Sequence, residues 1–225
     1  MTERILDLQM GPARVVVIKG ATSWGTRETG RLELPTNEGM RAFRIAYDER
    51  EAPYAANTDG TERNDVLLSL TDEDELCGCA WAEVTDNTDL LGVGVDLASP
   101  ADFGIRPGTE RFIELIFSER ERELASELDP TRPHLAYAML FGAKEAAFKA
   151  TAHPLRTWYA THSTPLEYEV RDFGMETLGE ERGELRRKAA QRALDRMGIE
   201  RIRILHTTCE GMALVVALAY GVPLR

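Results

Sequence analysis

Three acidic residues and two lysines have the types and order to share one site. Asp96 ends the strand-like run LLGVGVD, Glu121 opens a helical run, and Glu145 stands beside Lys144 with Lys149 one turn later. Carboxylate oxygens suit a hard divalent ion such as magnesium, which keeps waters and binds substrate phosphates as well. Lysines beside such an ion can balance charge in a phosphoryl-type transfer. Together these residues suggest a metal–pyrophosphate site. Each also has a purely structural reading, and on spacing alone the structural readings lead. Glu145 and Lys149 are an i,i+4 pair worth about 0.2–0.5 kcal/mol to a helix. Ser118-x-x-Glu121 fits a capping box, and Asp96 fits a strand-end turn. The GVG of LLGVGVD lacks the third glycine and following helix of a dinucleotide fingerprint.

The elements that would position these residues follow from periodicity. Val93 and Val95 fall on one face of the strand Leu90 to Leu97, with Gly92, Gly94 and Asp96 on the other. A glycine face admits another backbone or a ligand at close range. Arg111 to Phe117 reads as a helix, Ser118 starts another, and Pro133 to Ala152 is the strongest helical stretch. Upstream, strands are expected at Ala13 to Ile18, Arg31 to Leu34, Asp65 to Ser69 and Leu76 to Val84, and a helix at Glu38 to Asp48. Residues 51 to 65 read as loop. Downstream, Leu166 to Val170 reads as a strand and Gly183 to Met197 as an amphipathic helix ended by Gly198. Strands at Ile202 to Leu205 and Met212 to Ala219 close the chain. One repeat is visible: VLLSLTDEDELCGCAWAEV and IRILHTTCEGMALVVALAY each read as strand, polar turn and small-residue strand. That suggests a duplication, with units at 1–88 and 89–225.

Bulk properties narrow the class. The 225 residues are 43% hydrophobic and 29% charged, enough to bury a real core. The longest apolar run, Met212 to Val222, is about half of the ~20 residues a membrane helix needs, and the N-terminus lacks a secretory pattern. A cytoplasmic protein without membrane contact is expected. Three cysteines argue against a disulfide framework, so Cys77 and Cys79 read as buried small residues. The net charge of −11 disfavours nucleic acid as a partner. Basic residues crowd the segment from Arg182 to Arg203, either as a solvated face or as a dock for an acidic protein.

LLGVGVDLASPADF, RFIELIFSERERELA and FGAKEAAFKA, in that order, resemble the signature of the 4'-phosphopantetheinyl transferase superfamily. LEYEVRDFG, GELRRKAAQRALDRMG and RIRIL resemble the remainder of a holo-acyl-carrier-protein synthase. The preceding repeat unit resembles the Sfp-type arrangement, in which two pseudo-symmetric units are fused. The resemblance implies an α+β fold of two pseudo-symmetric α/β units with small antiparallel sheets, a site in the cleft between them, and a pseudo-dimeric monomer. It also implies magnesium-dependent transfer of 4'-phosphopantetheine from coenzyme A to a serine of an acyl or peptidyl carrier protein. Asp96 and Glu145 match its metal-binding acids, and Glu121 matches the glutamate near the metal that is implicated in activating the serine. Lys144 and Lys149 match the lysines at coenzyme A phosphates and the departing charge. Ser69 matches the serine of a Ser-His turn at coenzyme A, but the turn here reads Ser69-Leu70-Thr71-Asp72. Arg156, in the segment after the last lysine, is a candidate replacement phosphate ligand. The alternative is a non-catalytic member that binds a carrier domain or a nucleotide.

Overall fold

The computed structural model describes residues 3–20, 31–36, 39–57, 59–85, 88–104, 107–163, 166–178, 183–186 and 190–221. The N-terminal half is built of strands: β1 (Glu3–Met10), β2 (Ala13–Lys19), β3 (Arg31–Thr36), β4 (Gly39–Tyr47), β5 (Pro53–Ala56), β6 (Val66–Glu73) and β7 (Leu76–Glu83). Then come β8 (Leu90–Ala98) and the helices α1 (Thr109–Ile116), α2 (Glu119–Leu128), α3 (Pro133–Ala150) and α4 (Ala152–Thr161). The chain closes with β9 (Gly174–Leu178), β10 (Gly183–Arg186), α5 (Gln191–Arg196), β11 (Arg201–Cys209) and β12 (Met212–Tyr220).

These elements form an α+β stack of three antiparallel sheets and a helical layer. The sheet orders are β3-β4-β5, β1-β2-β7-β6 and β8-β12-β11-β10-β9. Strand alternation separates the cores between them. Cys79 and Trp81 point from β7 toward Ile45 and Ala55, whereas Ala80 and Ala82 point to the opposite core with Val95 and Leu214. The other face of the five-stranded sheet supplies Val215, Ala217 and Ala219 to the core under α3, where Ala143, Ala146 and Ala147 meet them.

The two repeat segments are the hairpins β6–β7 and β11–β12. Each turns through a left-handed acidic residue, Asp74 at φ 52° and Glu210 at φ 50°. In both sheets the second hairpin strand is central: β7 lies between β2 and β6, and β12 between β8 and β11. The helical layer is not repeated, since every described helix follows β8.

Four sequence expectations are corrected. Glu38 to Asp48 contains strand β4, in which Ile45 is buried between exposed or half-buried neighbours, because pairing with β3 and β5 overrides the helical spacing. Residues 51 to 65 contain β5. Leu166 to Glu169 are not a strand, and a 3-10 turn at Val170–Asp172 leads instead to β9. Gly183 to Met197 divides into β10, which joins β9 to β11, and the short helix α5. Gly198 does stop α5, with φ 72° just past its cap. Of the basic segment, Arg182, Arg187 and Lys188 lie outside the described residues. All three cysteines are free and buried.

Candidate functional site

The site begins with the contact between β8 and α3. A Cβ added at Gly92 would stand 1.9 Å from the Ala150 carbonyl oxygen, and one at Gly94 would stand 1.9 Å from that of Ala146. The glycine face foreseen in the sequence therefore accepts the helix backbone itself. Asp96 is next on that face, and its Oδ2 is 3.5 Å from where a Cβ on Gly142 would be. The side chains of α3 around this contact, Glu145 and Lys149, are thereby presented to the end of β8.

Lys149 Nζ donates to Asp96 Oδ1 at 2.6 Å and to the Val95 carbonyl at 3.2 Å. Thr71 of β6 closes the group, its hydroxyl 3.3 Å from Asp96 Oδ1 and 3.5 Å from Lys149 Nζ. Ser69 and Thr71 also accept from the Val95 and Leu97 amides, at 3.0 and 3.2 Å. These hydroxyls satisfy outward-facing donors of β8, the edge strand of its sheet. Ser69, matched above to coenzyme A, is thus anchored to β8 as well as lining the cavity.

Asp96, Glu145, Lys149, Ser69 and Thr71 all line one cavity of about 720 Å³. Burial raises the proton affinity of Asp96, which Lys149 partly offsets. Burial and the Asp96 charge raise that of Glu145. Burial thus works against the ionised form of both carboxylates, a cost that a cation placed between them would relieve.

Glu121 and Lys144 lie apart from this group and pair with each other. Both side chains are sealed from solvent, and Lys144 Nζ lies 2.9 Å from Glu121 Oε1 and 3.1 Å from Oε2. The Ser118 amide donates to Oε2 at 2.7 Å and the Met175 amide to Oε1 at 2.8 Å. The capping box is formed as the sequence predicts. Lys144 Nζ also donates to the Ile116 carbonyl at 3.0 Å, and burial pulls its proton affinity down against the pull of Glu121. Every Glu121 oxygen is therefore occupied by protein donors. Among the described residues, no three His, Cys, Asp or Glu side chains gather as a metal group, and neither Glu121 nor Lys144 lines the cavity.

The structure adds lining that the sequence did not single out. Glu73 and Asp102 stand in the wall, and burial followed by the Asp102 charge raises the proton affinity of Glu73. Phe103, Phe112 and Phe141 form an aromatic cluster with ring centroids 5.8–6.0 Å apart. Asp48 and Arg50, in the turn between β4 and β5, close the wall toward α4. Strand alternation along β6 puts Thr71 on the same buried face as Ser69, whereas the segment after β4 carries no such signal.

The family model of the 4'-phosphopantetheinyl transferase superfamily matches residues 92–192. Among solved structures, the chain is similar to a holo-[acyl-carrier-protein] synthase from Neisseria meningitidis, at 22% identity over 58% of this chain and 98% of that one, with a TM-score of 0.44. It is also similar to an acyl carrier protein synthase from Mycobacterium tuberculosis, at 25% identity over 59% and 99%, with a TM-score of 0.40. For the Bacillus anthracis synthase in complex with CoA (3',5'-ADP), the identity is 19% over 59% and 98%, with a TM-score of 0.41. None of the curated proteins matches the chain. The family match starts at Gly92 and includes the glycine face, Asp96, Glu145 and Lys149. Over residues 92–192, the chain is therefore similar to the 4'-phosphopantetheinyl transferase superfamily.

Proposed function

We propose that this chain transfers 4'-phosphopantetheine from coenzyme A to a serine of an acyl or peptidyl carrier protein, in the cavity between β6, β8 and α3. The observation that carries this reading is the convergence of Asp96, Glu145 and Lys149 on that one cavity. Asp96 and Glu145 would hold magnesium, since they offer the hard oxygen donors it takes and both ionise reluctantly without a cation. Magnesium, when bound, supplies charge neutralisation at the pyrophosphate.

The remaining chemistry belongs to side chains on the cavity wall. Lys149 holds Asp96 in place, and its ammonium can neutralise charge on the departing nucleotide. The serine oxygen bonds the β-phosphorus of coenzyme A as the bond to 3',5'-ADP breaks. The serine proton needs an acceptor, and the sealed Glu121 cannot reach it. Glu73 lines the cavity with raised proton affinity and takes that part. Positioning and charge neutralisation supply most of the rate in such transfers.

Intact mass spectrometry of apo carrier proteins incubated with the chain, coenzyme A and magnesium tests the reading. A phosphopantetheine mass gain that disappears in Asp96→Ala and Glu145→Ala is expected. No gain with fatty-acid, polyketide or peptide carriers overturns it.

A further inference from the structure

Asp96 has a second protein partner, contributed by the N-terminal strands. Thr71, on β6, lies outside the residues that the family model matches. Both side chains are buried. Thr71 stands opposite Gly78 in the pairing of β6 with β7, and a Cβ on Gly78 would be 2.8 Å from the Thr71 methyl. The methyl thus takes the space that a side chain at position 78 would need. A β-branched side chain has few χ1 choices, so seating the methyl on Gly78 also sets the direction of the hydroxyl.

A hydroxyl has one proton to give and two lone pairs to receive. The Leu97 amide donates to the Thr71 oxygen at 3.2 Å, and Lys149 Nζ, 3.5 Å away, has only protons to offer. The remaining partner, Asp96 Oδ1 at 3.3 Å, is the one that can accept the hydroxyl proton. Lys149 donates to the same oxygen. Both donors therefore fall on Oδ1, and Oδ2 receives none from the described residues.

We infer that Thr71 is a positioning residue for Asp96, its hydroxyl fixing the rotation of the carboxylate so that Oδ2 stays available to a cation. Lys149 cannot do this alone, since an ammonium that neutralises the departing charge loosens its hold on Oδ1. The threonine, tied to the Leu97 amide of β8, stays where it is. The inference rests on the transferase reading above.

Isothermal titration of the chain with magnesium, in saturating coenzyme A, tests it together with transfer rates measured across magnesium concentrations. Thr71→Val keeps the shape and loses the hydroxyl. Magnesium is expected to bind it about 10-fold more weakly, the low end for losing a partner of a metal-ligating group. Its transfer rate is expected to recover when magnesium is raised in proportion, which a loss caused by altered packing would not do. Thr71→Ser, with the hydroxyl but no methyl to seat it, is expected to fall between. Where Thr71→Val does not fold, Gly78→Ala decides, because it removes no polar group and is expected to weaken magnesium by displacing the hydroxyl. Unchanged magnesium affinity in the folded variant overturns the inference, and so does a rate loss that excess magnesium leaves in place. Absence of magnesium binding by the unaltered chain overturns it as well, and absence of transfer overturns the transferase reading along with it.

Discussion

Helix α3 carries two lysines five residues apart, and each meets a carboxylate from another element. Lys144 and Glu121 are both 1% exposed, and their nitrogen and oxygens are covered by protein partners from α1, α2 and β9. Lys149 keeps 29% of its side chain exposed, and its partner Asp96 shares a cavity with a third charge, Glu145. The first pair is complete in itself. The second is one charge too negative, and its surplus faces open space. A closed pair builds a junction between elements, whereas a pair with a surplus carboxylate can act on something that arrives.

Substitutions at either pair can break that contrast. Asp96→Ala removes the surplus site, and transfer is expected to fall about 10³-fold, as when a charge-stabilising group is lost. Mass gain per minute on a carrier measures it, with a melting curve to show that the fold persists. At the sealed pair, Glu121→Ala leaves a buried ammonium alone and is expected to cost about 3–5 kcal/mol in urea unfolding. Glu121→Leu with Lys144→Met recovers part of that loss and keeps transfer activity. A stable double variant without activity would return Glu121 to the chemistry.

Two smaller effects sharpen the same contrast. Gly94→Ala pushes α3 off β8 and is expected to cost about 1–3 kcal/mol, the scale of overpacking, while lowering transfer more than Glu121→Leu with Lys144→Met does. Glu145→Gln is expected to raise the melting temperature by a few degrees at neutral pH while abolishing transfer. Because folding raises the Glu145 proton affinity, the native penalty is absent while the group is protonated and appears as pH rises through its folded value. The gain should therefore vanish in acid. A gain that persists there would place its cause outside the ionisation of Glu145.

Much of the site could be read from the residues. The alternation in LLGVGVD fixes the glycine face and puts Asp96 on it, and the i,i+4 spacing puts Glu145 and Lys149 together. The spacing does not say which neighbour Lys149 selects, and it turns to Asp96 rather than staying on its own helix. Glu121 shows the reverse limit. Its capping role is local and legible, but its sealing depends on Lys144 and Met175, which are distant in sequence. In the fold, β4 and β10 were hidden because their strand character comes from partners: β3 and β5 for one, β9 and β11 for the other.

The contact of β8 with α3 works as a vernier. Gly92 lies on Ala150, Gly94 on Ala146 and Asp96 on Gly142, so two residues of strand are matched to four of helix. Two strand steps cover about 6.6 Å and four helix steps about 6.0 Å, so the scales stay in phase over this length. Sliding to the next match would carry Lys149 a full turn away from Asp96. Insertions outside LLGVGVD and FGAKEAAFKA leave this phase untouched, whereas a single residue gained or lost inside either puts the charges out of step.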